Sequence, residues 1–161
     1  MTRISLLLML SVFCFSCNNS ETKTETKTSE PAETVATAEP KPEDLTPDVM
    51  AEIPAKIEGC NALFTYDSVA LDKRQYVFMH NQEGLGILQI DGKKVELNRV
   101  EKTETGENEG QEIFAADQYK VILTTKKVKQ TDKNVAEYEG TLEIYKDISQ
   151  RKFKVRGKVG C

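Results

Sequence analysis

Along the last third of the chain, apolar and polar residues alternate almost one for one. Tyr138, Gly140, Leu142 and Ile144 interleave with Glu137, Glu139, Thr141 and Glu143. Phe153, Val155, Gly157 and Val159 interleave with Lys152, Lys154, Arg156 and Lys158. A period of two marks strands with one buried face. A four-residue loop at 147–150 would set Ile144 against Phe153, Leu142 against Val155, Glu143 against Lys154 and Glu139 against Lys158. Gly140 would then face Gly157. Only a loop of even length matches apolar with apolar and acid with base. The basic row is therefore read as a neutralised solvent face rather than an anion-binding stripe.

The same period recurs upstream. Leu85–Asp91 and Lys94–Val100 flank Asp91-Gly92, a strong two-residue hairpin signal. That turn sets Ile90 opposite Lys93, Leu88 opposite Val95 and Gly86 opposite Leu97. Residues 75–79, Gln-Tyr-Val-Phe-Met, are apolar on both faces and predict a central strand, joined to the next at Asn81–Gly84. A strand from Tyr119 to about Gln130 leads through Thr131–Asn134 into the Tyr138 strand. Lys126, Lys127, Lys129 and Lys133 gather near that turn, as a solvated tip or an anion-docking spot. The polar run Lys102–Gln111 reads as a mobile loop or long hairpin tip before a short strand near Glu112–Ala115. Thr46-Pro47-Asp48 has the cap, proline and acid of a helix start, and Pro54 limits that helix to about two turns. The expected fold is all-β: a small antiparallel barrel or sandwich of seven to eight strands with one short N-terminal helix.

The first residues follow another logic. Arg3 precedes an apolar run from Ile4 to Phe15 that is too short for the roughly 20 residues a membrane span needs. It has the layout of an export signal. The run ends in Ser16-Cys17-Asn18, a small residue directly before a cysteine. This resembles a bacterial lipobox in the looser pattern common in Bacteroidetes, with Cys14 and Phe15 at positions that usually hold other residues. The resemblance implies that residues 1–16 are removed, that Cys17 carries lipid, and that the protein is anchored in the cell envelope. Asn18, rather than Asp, implies the outer membrane, facing the periplasm. Residues 17–46 then form a lipidated, disordered Thr/Glu/Lys/Pro tether, since they hold too little apolar surface to offset chain ordering. Three lysines against seven acids place most of the net charge of −4 there. The remaining domain, 47–161, is nearly neutral. It lacks the basic field that nucleic acid would require.

Four cysteines sort accordingly. Cys14 leaves with the leader and Cys17 takes lipid, so Cys60 and Cys161 remain in an oxidising compartment and are expected to pair. The alternatives are two free thiols, or a metal site using both with His80, the only histidine. No Cys-x-x-Cys or second histidine supports a metal, and no cofactor or metal is expected.

Catalytic sets are missing from the sequence. Any triad would depend on His80, which stands at a strand end before a turn. There is no nucleophile elbow, zincin helix or phosphate-cradling loop, so no enzyme is expected. From Gly59-Cys60 to Gly160-Cys161 the chain resembles small bacterial lipoproteins of uncharacterised function, through Ile90–Lys93, Tyr138–Ile144 and Val155–Cys161. The architecture is also similar to that of periplasmic lysozyme-inhibitor lipoproteins, whose inhibitory Ser-Gly loop is not found here. The first resemblance assigns no activity and the second carries over no inhibitor residue; the expected function is a monomeric, membrane-tethered, non-catalytic binding module that occludes a protein or envelope component, such as a lysozyme or toxin. The alternative is a small-ligand carrier with Phe64, Tyr66, Tyr76 and Phe78 around a barrel mouth.

Overall fold

The computed structural model describes residues 43–161. The leader, Cys17 and most of the tether lie outside the described residues. Eight antiparallel strands form a closed barrel in chain order: β1 (Asn61–Thr65), β2 (Phe78–Asn81), β3 (Leu85–Ile90), β4 (Lys93–Gly106), β5 (Glu109–Ala116), β6 (Tyr119–Asp132), β7 (Val135–Lys146) and β8 (Ser149–Gly160). β8 returns to pair with β1, from Asn61↔Gly160 to Thr65↔Arg156. Closure gives every strand a neighbour on both sides.

Tight turns carry the chain back and forth. Asp91 and Gly92 both take positive φ, 50° and 72°, as the expected Asp-Gly hairpin demands. Its register is the one the alternation predicts: Ile90↔Lys93, Leu88↔Val95, Gly86↔Leu97. The last hairpin differs. Its loop is Asp147-Ile148, and the register is Glu143↔Lys152, Leu142↔Phe153, Gly140↔Val155 and Glu139↔Arg156. This is two residues from the four-residue-loop expectation. The faces survive, because a slip of two keeps parity, but Gly140 and Gly157 do not meet. The acid–base match also survives with other partners: Lys152 with Glu143 at 2.8 Å and Arg156 with Glu139 at 3.4 Å.

Of the two readings of Lys102–Gln111, the long hairpin tip holds and the mobile loop does not: Lys102 lies opposite Glu112 and Glu104 opposite Gly110 around a Glu107-Asn108 tip. The backbone pairing that a loop would leave to water is made here across the hairpin. The helix at Thr46-Pro47 does not form. Asp48 N–H donates to the Gln89 carbonyl at 2.8 Å, Tyr66 donates to the Pro47 carbonyl, and Met50 bridges to Tyr76. These tertiary bonds outcompete a two-turn helix, which is marginal in isolation. The short helices are a 3₁₀ turn at Ala55–Ile57 and α1 (Ser68–Asp72), where Asp67 accepts from Ala70 N–H at the N-cap.

The core has two parts. Inward residues of the barrel, among them Phe64, Phe78, Leu88, Leu97, Phe114, Leu142 and Val155, form the main cluster. Outside β2 and β3, Met79 and Ile87 are covered by Met50, Ile57 and Tyr76. This explains why these two strands are apolar on both faces. The N-terminal segment seals one end. Glu43 N–H donates to Ser149 Oγ beside the β7–β8 turn, and Gly92 N–H donates to Asp48 Oδ2 at the β3–β4 turn. Between these anchors Leu45 is fully buried in the main cluster. At the opposite end, Cys60 and Cys161 form a disulfide just ahead of β1 and just after β8.

Candidate functional site

That opposite end is a mouth. A cavity of about 470 Å³ opens there among the ends of the strands. The volume lies in the range of small-molecule sites, and eight strands give an interior wide enough for side chains or one small ligand.

Phe64 and His80 form the floor. They point inward because Phe64 lies opposite Phe78 and His80 opposite Ala62 and Gly86, on the inner face of β1–β3. The Phe64 and His80 rings lie 6.1 Å apart and nearly parallel, at 17°. Phe78 and Phe114 back the imidazole at 6.0 and 5.2 Å. Two glycines make room for these rings. A Cβ on Gly157 would meet Phe64 Cδ1 at 2.5 Å, and one on Gly86 would meet Phe114 Cδ1 at 2.9 Å.

His80 is buried, with 7% of its surface exposed. Burial lowers its pKa; the Glu112 carboxylate and the Asn81 carbonyl oppose this, and Arg99 and Lys102 reinforce it. Its Nδ1 lies 3.2 Å from the Asn81 carbonyl oxygen. A carbonyl only accepts, so the proton of the neutral ring sits on Nδ1 and Nε2 is an acceptor.

Above the floor the wall is charged. Arg99 donates from Nη1 to Glu112 Oε2 at 2.8 Å and from Nη2 to the Gln82 carbonyl at 2.8 Å. The two side chains are only 19% and 17% exposed. Partial desolvation of such a pair strengthens its interaction relative to a surface pair. Lys102 reaches the same carboxylate at 3.6 Å. Thr125, Lys127 and Tyr138, on β6 and β7, complete the far wall.

Of the four aromatics expected around a barrel mouth, Phe64 alone lines the cavity. Phe78 lies behind His80. Tyr66 packs on Phe153, 5.8 Å between centroids, with its hydroxyl on Pro47. Tyr76 belongs to the outer cluster with Met50. The sequence reading takes His80 only as a metal or triad candidate at a strand end and passes over Arg99 and Glu112, although for these two charges a signal is present. Arg99 continues the inward parity of Val95 and Leu97, and Glu112 that of Phe114, so each is a charge where the pattern calls for a core residue. No family model, curated protein or solved structure matches the chain.

Among the described residues, no cluster of three His, Cys, Asp or Glu side chains could hold a metal, and no helix is long and apolar enough to cross a membrane.

Proposed function

We propose that this protein is a lipid-anchored, non-catalytic barrel of the bacterial cell envelope that binds a small molecule in its mouth. The cavity carries this reading: it combines an aromatic floor with polar and charged groups turned inward, where a barrel built only for stability would place apolar side chains. Of the two functions expected from the sequence, this is the carrier. Occlusion of a protein partner would call for an exposed anchor patch rich in aromatics. Among the described residues the exposed large hydrophobics are Val49, Val69, Val100, Val128 and Ile148, aliphatic and drawn from five different segments. The charged outward rows of β7 and β8 suit a solvated barrel better than one girdled by lipid. Attachment through Cys17 would hold the domain at the outer membrane on the periplasmic side, with the tether giving it reach.

Anilinonaphthalene sulfonate is expected to bind the full chain one to one. Thr125→Trp, which fills the cavity from its wall, is expected to weaken that binding about tenfold or more with an unchanged circular dichroism spectrum. Equal affinity in the two proteins would overturn the proposal. The anchor has its own test. Cys17→Ala is expected to move the protein from the membrane to the soluble fraction and to remove the acyl mass from the mature chain. A mature protein that still carries its leader, or that never carried lipid, would refute attachment at Cys17.

A further inference from the structure

We infer that the mouth cavity takes a small ring-bearing anion that also carries a hydrogen-bond donor: ring on the Phe64–His80 floor, donor on His80 Nε2, anionic group on the surplus cationic charge of Arg99 and Lys127. The inference rests on the small-ligand reading above and specifies its ligand.

Three observations carry it. The floor is flat and aromatic, with Phe64 and His80 close to parallel; such a surface receives a planar ring through stacking and apolar burial. Next, the imidazole offers one free function. Nδ1 is committed to the Asn81 carbonyl, and Nε2 has no hydrogen-bond partner among the described residues. No buried side-chain nitrogen or oxygen among those residues is left without a partner, so Nε2 remains open to the cavity. It offers a lone pair, and its complement is an N–H or O–H on the ligand.

The third observation is charge. Arg99 and Lys102 share a single carboxylate, that of Glu112. Lys127 lies on the inner face opposite Tyr138 and makes no ion pair among the described residues. Two other acids line the cavity, but Glu109 pairs with Lys126 at 3.0 Å and Glu104 is exposed at the rim. With the exposed Lys102 and Glu104 set against each other, the deeper wall holds Arg99 and Lys127 against the single carboxylate of Glu112, a surplus of one cation. In a partly desolvated cleft that surplus focuses the field on an entering anion. The lysine cluster noted around the β6–β7 turn thus divides: Lys126 turns outward to Glu109, and Lys127 turns to the cavity.

The test is calorimetric titration of the full chain with para-hydroxybenzoate and a hydroxynaphthoate. Each is compared with its neutral carboxamide and with the parent carboxylate lacking the hydroxyl. At least one hydroxyaryl carboxylate is expected to bind, about tenfold tighter than its carboxamide. Added salt should weaken the carboxylate and spare the carboxamide. Lys127→Met should cost the carboxylate about tenfold and leave the carboxamide unchanged. His80→Phe, which keeps the ring, should erase the preference for the hydroxylated compound. Equal binding of carboxylate and carboxamide, or a Lys127→Met loss shared by both, would overturn the anion assignment and leave the small-ligand function standing. Binding by none of these compounds would overturn the ligand assignment, and together with Thr125→Trp leaving dye affinity unchanged it would overturn the small-ligand function as well.

Discussion

Replacing Cys60 and Cys161 together by alanine is expected to lower the stability of the domain by about 4–5 kcal/mol. The bond joins residues 101 apart, so it constrains nearly the whole unfolded chain, and the entropic gain grows with the closed loop. Its position adds a second effect. β1 has only five residues, and the β1–β8 pairing that closes the barrel runs from Asn61↔Gly160 to Thr65↔Arg156. The disulfide sits at the mouth end of that seam, directly beside the Asn61↔Gly160 pair. Without it the C-terminal residues would fray, and the fraying would begin where the barrel is closed by a strand of five residues. A loss of this size is a large share of the roughly 5–15 kcal/mol that holds a typical domain together. Urea unfolding of wild type, of wild type with reductant and of the double variant gives the measurement. The last two should coincide, and amide exchange should accelerate first along β1 and the end of β8. A deficit below about 1 kcal/mol would show that the sheet closes unaided.

How far a pattern of residues reveals a barrel depends on which degrees of freedom the pattern constrains. Alternation constrains parity. It assigned Leu142, Val155 and Ile144 to one face and their charged neighbours to the other, and those faces hold. It does not constrain translation by two, since every apolar position has an equivalent one two residues on. The β3–β4 register was legible because Asp91-Gly92 supplies a backbone marker. The β7–β8 register was not, because its turn is Asp147-Ile148 and contains no glycine. Ser149 looks like a turn residue yet is buried in β8, where it accepts a hydrogen bond from Glu43 N–H. For the site, the obstacle was a strand buried on both sides. All four residues of β2 are buried, so nothing in Phe78–Asn81 tells which face is interior. His80 therefore read as an ordinary strand end rather than as the floor of a cavity. The lining is also assembled from several strands far apart in sequence, and only closure brings Arg99, Glu112 and Lys127 around one opening.

The segment just before residue 47 carries the second large effect. Leu45→Ala is expected to cost about 2–5 kcal/mol, the range for removing a buried leucine side chain. By composition this leucine belongs to the tether, a polar run with almost no apolar residues. Tertiary structure overrides composition because the closed barrel has an open end that one aliphatic side chain can fill. The surrounding contacts position it: Glu43 with Lys146 and Ser149, Asp44 near Arg151, Pro47 with Tyr66, and Asp48 with the β3–β4 turn. Most of the charged contacts among these are exposed, and each contributes about 0–1 kcal/mol. Asp44→Asn and Glu43→Gln should therefore be nearly silent, while Leu45→Ala should not. A fragment beginning at Pro47 should show the same deficit as Leu45→Ala, and one beginning at Glu43 should recover the stability of the longer chain. Thermal and urea unfolding of these five proteins beside the parent chain separates the cases. A Leu45→Ala loss under about 0.5 kcal/mol would mean that the end closes without it, and that the folded unit starts where the tether composition ends.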